Sequence, residues 1–392
     1  MTAGPLPADG TIVVVGAGLA GGRTCAALRQ AGHVGQIVLV GAEQHRPYDR
    51  PPLSKAVLAD AAVDPDLGLE LDDVELRLGV RATGLDLGEG AVHTSEGDLR
   101  YDALVIATGA EPMALPGDGP QVALRTKEDA ALVRAALVPG AQIVLVGAGW
   151  IGAEVATAAL AANCKVTCLE AGPAPLAGPL GPEVAQRFLP WWQGVDLRTG
   201  ALVDRVEPDG VRLADGSLLN ADLVVSGVGV RPNTGWLEGS GLAFAGGGIA
   251  VDCDGRTSDP RVFAVGDVAA RHSPRLGEPV HSGHWDEAVN GAAAVALAVL
   301  GRPAGIDRVP YFWSDQFGRK VQYVGQHHRE DAVVFREHDD PEKWGVAWVA
   351  ADGRLTAHLN VGFPKAMVRA RAALESGRVV DSSIIARLDA DL

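Results

Sequence analysis

The sequence predicts an α/β chain in which one strand–turn–helix–strand unit occurs twice and a tail of antiparallel strands follows. Three observations carry that prediction. A glycine-rich turn set between a β-branched strand and a helix appears twice, 131 residues apart, and an acidic residue ends the strand after each helix. Beyond residue 320, short runs alternate apolar and polar residues. At 392 residues the chain exceeds one ordinary core, so two or three domains are expected.

The first copy opens at 11–16 with TIVVVG, a run suited to a parallel strand buried on both faces. Gly16-Ala17-Gly18-Leu19-Ala20-Gly21 follows directly. A helical stretch then runs through Leu28 to about Gln30, and a second apolar strand at 37–40 ends in Gly41-Ala42-Glu43. The second copy reads IVLVG at 143–147, Gly147-Ala148-Gly149-Trp150-Ile151-Gly152, a helix to about 162, and KVTCLE ending at Glu170. A lone GxGxxG is weak evidence. Here each turn sits between strand and helix, with Glu43 22 residues past Gly21 and Glu170 18 past Gly152, and that context makes the signal strong.

Each residue type has a physical reason. The first glycine permits the tight turn, the second leaves room for a pyrophosphate, and the third lets helix and strand pack closely. The helix N-terminus offers free N–H groups and partial positive charge to phosphates. The carboxylate accepts hydrogen bonds from ribose hydroxyls. Two such sites imply two dinucleotides, most simply a tightly held flavin and an exchangeable nicotinamide.

In the tail, alternation at 321–325, 333–336, 346–349 and 355–361 predicts antiparallel strands packed on one face. Helices at about 364–376 and 382–388 are expected to close the chain.

Composition removes several classes of function. A formal net charge of −15 opposes non-specific binding to nucleic acid or anionic membranes. The longest apolar stretch, around 292–300, is too short to span a bilayer. The N-terminal MTAGPLPADG lacks the basic and apolar regions of a signal peptide and reads as a loose lead-in. Cys25, Cys164, Cys168 and Cys253 include no CxxC pair, so zinc ribbons, dithiol chemistry and iron–sulfur ligation within the chain are not expected, and reduced thiols point to the cytoplasm. His281 and His284 have HxxH spacing, with His272, His327 and His328 elsewhere. Without grouped carboxylates or cysteines they are read as hydrogen-bonding or solvated histidines, and no metal site is expected.

The segment PYDRPPLSK at 47–55 closely resembles the loop after the first nucleotide unit of bacterial FAD-dependent ferredoxin reductases. This family includes putidaredoxin reductase and the reductase components of aromatic-ring dioxygenases, with rubredoxin reductases as relatives. YDALVIATG at 101–109, RTKEDA at 125–130, VFAVGDVA at 262–269 and PYFWSDQ at 310–316 resemble further pieces, in the family's order. The resemblance implies two doubly wound Rossmann-like domains, for FAD and NAD, and a C-terminal α+β domain with an antiparallel sheet. The FAD domain is expected at 1–112 with 242–308, the NAD(P) domain at 113–241, and the last domain at 309–392.

The resemblance also implies roles. Gly16, Ala17, Gly18 and Gly21 are expected to cradle the FAD pyrophosphate, and Glu43 to meet the adenosine ribose. Arg50, Lys55 and Arg125 are implied as basic residues against FAD, with Lys55 near the flavin ring, where a fixed cation favours the anionic reduced form. Arg50 and Lys55 as plain surface cations are the bland alternative. Val80 resembles the position whose backbone meets adenine, and Thr108-Gly109 a turn beside the cofactor. Asp267 matches the aspartate that holds a ribityl hydroxyl, a role compatible with capping a helix. Trp285 and Trp313 align with positions flanking the isoalloxazine; core packing is the alternative.

For the nicotinamide cofactor, Gly147, Gly149, Ile151 and Gly152 are expected at the pyrophosphate, with Gly227 and Gly229 lining the nicotinamide pocket. Glu170 favours NAD(H), because its carboxylate repels a 2′-phosphate and no Arg or His follows in 171–176. Glu154 is implied to approach Lys55, and these two are the expected catalytic pair. The implied chemistry is hydride transfer from nicotinamide C4 to flavin N5, followed by single-electron delivery to a carrier. Disulfide reductases share the double-nucleotide plan but need a redox cysteine pair, and here Ser54-Lys55 stands where thiol-active relatives place a cysteine. The implied partner is a small [2Fe–2S] ferredoxin, or another iron–sulfur carrier, serving a cytochrome P450 or ring-hydroxylating oxygenase. Arg308, Arg319, Lys320 and Arg329 form either its docking patch or ordinary surface charge. A rubredoxin reductase and an NADH-responsive flavoprotein of the apoptosis-inducing-factor kind are the alternatives.

Overall fold

The computed structural model describes residues 9–281, 283–303, 305, 307–377, 379–380 and 385–389. By packing, the chain forms two compact units. One takes the residues up to Asp49 with Pro65–Glu111 and Arg231–Pro310; the other takes Arg50–Asp64, Pro112–Val230 and Tyr311–Leu392. Compared with the motif-based division, packing groups 50–64 with the second unit and 231–241 with the first.

In the first unit, the valine-rich runs Ile12–Val15, Ile37–Gly41 and Ala103–Ile106 are buried throughout, as parallel strands covered on both faces must be. With Glu75–Leu78 and Val262–Ala264 they make a five-stranded parallel sheet, Ile12–Val15 at its centre. Val14, Leu39, Val105 and Phe263 pack with Leu28 and Val295 of the helices Leu19–Gln30 and Trp285–Val299. Val13, Leu104 and Ile106 meet Val92, Leu99 and Ile249 from two smaller sheets. Each such aliphatic side chain contributes about 1.5–3 kcal/mol relative to exposure.

The second unit repeats the plan. Gln142–Val146 lies between Lys165–Glu170 and Leu223–Ser226, all parallel, with Val195–Thr199 at the edge. In both parallel sheets the strand order reverses beside the first strand, the position at which a doubly wound sheet leaves a crevice beyond its carboxyl ends. The tail forms a five-stranded antiparallel sheet ordered Tyr311–Gln316, Arg319–Gly325, Leu355–Val361, Trp344–Val349, Ala332–Glu337. The helix Pro364–Ser376 packs on it. The four expected runs lie inside these strands, and Tyr311–Gln316 is an edge strand that alternation alone had not flagged.

One expectation needs correction. Of the closing helix at 382–388, residues 382–384 lie outside the described residues, and 385–389 form turns with an isolated bridge between Glu337 and Arg387. The backbone groups of this segment pair outward, Glu337 N–H to the Ala386 carbonyl and Leu388 N–H to the Glu337 carbonyl, so no helical ladder forms there.

Candidate functional site

In the first unit, Gly16 has φ +117°, and a Cβ there would stand 2.1 Å from the Ala107 carbonyl oxygen. A Cβ on Gly21 would stand 1.9 Å from the Gly16 carbonyl oxygen, so this glycine sets the helix against the strand. Gly18 differs, because a Cβ there meets nothing within 4 Å. It caps the helix Leu19–Gln30, which has no side-chain cap and no acid in its first turn, so the N–H groups and the dipole's positive end face that open space. Ala17 packs against Gly41.

The second unit repeats this geometry. Gly147 has φ +103° and faces the Gly227 carbonyl at 2.4 Å from a built Cβ; Gly152 faces the Gly147 carbonyl at 2.2 Å; Gly149 faces nothing within 4 Å. The helix Trp150–Ala161 likewise lacks a side-chain cap and a first-turn acid. Ile151, in that first turn, is a 40% exposed hydrophobe beside the open space. Both turns fit a dinucleotide pyrophosphate: backbone donors and open volume where the phosphates belong, and glycine forced elsewhere by backbone contact.

The two acidic residues are held differently. Glu43 accepts a hydrogen bond from the Tyr48 hydroxyl at 2.5 Å. Glu170 accepts from Ala148 N–H through Oε2 and from Gly172 N–H through Oε1, each at 2.7 Å. Its carboxylate is thus fixed across the glycine turn, with lone pairs left for a ribose.

Val80 is buried, its N–H bonded to the Gly41 carbonyl. The Thr108 hydroxyl donates to the Asn233 carbonyl at 2.9 Å, and the Gly109 carbonyl accepts from Asn233 N–H. Asp267 lies in the 3-10 turn Gly266–Val268, and its carbonyl pairs with His281 Nε2 at 2.6 Å. Trp285 opens the helix Trp285–Val299, and its indole N–H donates to Asp49 at 2.8 Å. His284 caps that helix, and burial pushes its imidazole down to about 4, the Asp267 charge opposing.

In the second unit, Arg50 donates to the Arg125 carbonyl, and Arg125 N–H donates to Asp129 in the capping box of the helix Lys127–Ala136. Lys55 Nζ lies 2.9 Å from Glu154 Oε2. The same oxygen accepts from the Ser54 hydroxyl, and Glu154 Oε1 accepts from the Ser314 hydroxyl at 2.6 Å. Glu154 is buried, its side chain 3% exposed, whereas Lys55 stays partly exposed. Trp313 stacks on Tyr311 at 6.1 Å between ring centres. Gly227 N–H bonds to the Val146 carbonyl, and the Gly229 carbonyl accepts from Met113 N–H.

The comparisons with known proteins agree with this geometry. Residues 10–292 match the pyridine nucleotide-disulphide oxidoreductase family, and residues 311–392 match the reductase C-terminal family. The chain is 35% identical to the probable ferredoxin reductase CtmF of Castellaniella defragrans, across 96% of this chain and 98% of that protein. It is 33% identical to putidaredoxin reductase CamA of Pseudomonas putida, across 96% of each. Its fold matches the crystal structure of Fdr9 with a TM-score of 0.94 and 51% identity, covering 97% of this chain and 99% of that one. It matches the covalent putidaredoxin reductase–putidaredoxin complex with a TM-score of 0.90 and 32% identity, covering 97% and 96%.

The chain belongs to the ferredoxin reductase family.

The disulphide in the broader family's description has no counterpart in these thiols. All four cysteines are free, and burial raises the pKa of each, Cys25 to about 12. A ferredoxin reductase needs no thiolate. The expected basic patch is corrected at Arg308, whose side chain is 17% exposed and lies 3.8 Å from Glu287. Glu287 also pairs with the buried Arg271, so Arg308 belongs to an internal charge cluster. Arg319 is paired with Glu342, Lys320 lies 4.0 Å from Asp315, and Arg329 is exposed. Sequence reasoning gave no role to Tyr48, Asp49, Ser54 or Ser314. The first three lie in the PYDRPPLSK segment and the last in PYFWSDQ, so the signal was present without a partner to assign it to.

Proposed function

We propose that this chain carries electrons from NADH through FAD to a small iron–sulfur ferredoxin, which supplies a cytochrome P450 or a ring-hydroxylating oxygenase. The observation that carries this reading is the duplicated cradle: two glycine turns with the same forced contacts and the same open space, in one chain with a reductase C-terminal domain. Held by these residues, FAD would supply two-electron acceptance from NADH and single-electron delivery to the carrier.

The chain's own residues bind, orient and exclude. Gly16, Ala17, Gly18 and Gly21 bind the FAD pyrophosphate at a helix N-terminus. Glu43, fixed by Tyr48, takes the adenosine ribose. Val80, Thr108, Gly109, Arg50, Arg125 and Asp267 supply the other FAD contacts, while Trp285 and Trp313 wall the ring system against water. Gly147, Gly149, Ile151 and Gly152 bind NADH at its pyrophosphate, and Gly227 and Gly229 receive the nicotinamide. Glu170 meets the free 2′-hydroxyl and repels a 2′-phosphate. Lys55, paired with Glu154, presents a fixed positive charge to the reacting ring. FAD binding belongs to 1–112 with 242–308, NADH binding to 113–241, and 309–392 completes the reductase. Among the described residues no helix is long and apolar enough to cross a membrane. With four unpaired thiols, the cytoplasm is the proposed compartment.

The test is direct. The purified protein is expected to be yellow, to bleach anaerobically with NADH far faster than with NADPH, and to reduce cytochrome c only when a ferredoxin is added. A colourless protein that takes up no FAD, or NADH bleaching with no transfer to any [2Fe–2S] ferredoxin in a panel, ends this reading.

A further inference from the structure

Three consecutive turns of one helix face are tied to the C-terminal sheet. In the helix Trp150–Ala161, Trp150 packs edge-on against Phe312, Glu154 accepts from Ser314, and the Thr157 hydroxyl accepts from Phe317 N–H at 2.8 Å. Phe312 and Ser314 alternate along the strand Tyr311–Gln316 and so share one face of it, whereas Tyr311 and Trp313 share the other and stack. The middle tie is the unusual one. Glu154 is a buried carboxylate whose two oxygens are divided: Oε2 takes Lys55 and Ser54, and Oε1 takes Ser314. Ser314 is itself 1% exposed and accepts from the Gln316 side-chain amide at 3.4 Å, which turns its own proton toward Glu154.

We infer that Ser314 is a positioning residue of the reductase, a hydroxyl from the C-terminal domain that fixes the plane of the Glu154 carboxylate and so aims Oε2 at Lys55. The inference rests on the reading that puts Lys55 and Glu154 in the reaction. The hydrogen bond between Ser314 and Glu154 is charge-assisted, and both of its partners are buried. Such a bond is short and strong, and a buried carboxylate oxygen deprived of its donor has no water to turn to. Without Ser314, Glu154 is free to rotate toward the donors it keeps, and the ammonium follows. The C-terminal domain thereby contributes to the chemistry through the nicotinamide helix, in addition to any part it plays toward the partner.

Five proteins test this, each loaded with FAD: wild type, Ser314→Ala, Glu154→Gln, the double variant, and Ser314→Thr as the conservative rescue. Anaerobic flavin reduction by NADH and thermal unfolding are followed for all. Ser314→Ala is expected to slow reduction about tenfold at saturating NADH with little change in KM, and Ser314→Thr to restore it to within about threefold. In the Glu154→Gln background the same alanine change is expected to cost less than about twofold, and the unfolding midpoints to be non-additive in the same sense. Equal losses in both backgrounds, or a wild-type rate in Ser314→Ala, overturn the inference alone. A wild-type rate in Glu154→Gln, with unfolding still non-additive, instead removes Glu154 from the reaction, and the inference falls with that reading.

Discussion

His358 and Arg336 meet inside the C-terminal sheet, the arginine Nη1 3.2 Å from the imidazole Nε2, both residues fully buried. Burial, with the Arg336 charge adding to it, pushes the imidazole down to about 3, so it accepts the arginine's hydrogen bond as a neutral base. The unfolded chain binds this proton near 6.5 and the folded chain only near 3, so the stabilising effect is complete above 6.5 and is lost as pH falls through that window, at up to about 1.4 kcal/mol per pH unit. Denaturant midpoints are therefore expected to drop between pH 7 and pH 5, and His358→Gln to flatten that part of the curve. Glu170 gives a second residue-scale prediction. Because its carboxylate also closes the glycine turn through Ala148 and Gly172, Glu170→Arg is expected to raise the KM for NADH while shifting the NADH-to-NADPH ratio of kcat/KM by about tenfold or more, as replacing repulsion of the 2′-phosphate by attraction implies when the two cofactors' binding changes by about 1.4 kcal/mol relative to each other. An unchanged ratio in initial-rate assays removes Glu170 from cofactor choice.

At the scale of an element, the two glycine turns separate folding from binding. A side chain on Gly152 must displace the Gly147 carbonyl, whereas one on Gly149 meets only open space. Gly149→Val is accordingly expected to keep FAD content and the melting temperature while abolishing saturation with NADH, and Gly152→Val to lower the melting temperature as well. Differential scanning and isothermal titration separate the two. The same elements explain what was legible in the sequence. Ile12–Val15, Ile37–Gly41 and Gln142–Val146 read as strands because parallel strands buried on both faces are continuous apolar runs, and the helices declared themselves by the glycines that open them. Ser54 and Ser314 were not legible, since their partner Glu154 lies 100 and 160 residues away in the chain and a lone serine carries no periodicity. Arg308 was misread for a related reason: an arginine looks superficial until the Glu287 and Asp307 that surround Arg271 are known. Residues 385–389 form turns because their backbone groups find partners on the strand Ala332–Glu337 and in the Arg336 guanidinium, both remote in sequence.

At the scale of the whole molecule, thiol chemistry is set aside by burial as well as by spacing. Cys25 and Cys168 are fully buried, and all four thiols titrate above their ordinary value. Native protein treated with iodoacetamide near neutral pH is expected to retain its ferredoxin-dependent turnover, and inactivation that tracks alkylation of one cysteine contradicts this. The chain's route between the two compact units has a separate consequence, for how the protein is made. The strand Ala103–Ile106 forms its outer ladder with Val262–Ala264, which ends 158 residues later. During translation that sheet keeps a bare apolar margin for roughly 8–30 s at about 5–20 residues per second, while the second nucleotide cradle is synthesised. Nascent chains are thus most open to edge-to-edge association, and to chaperone capture, in the interval before Ala264 leaves the ribosome.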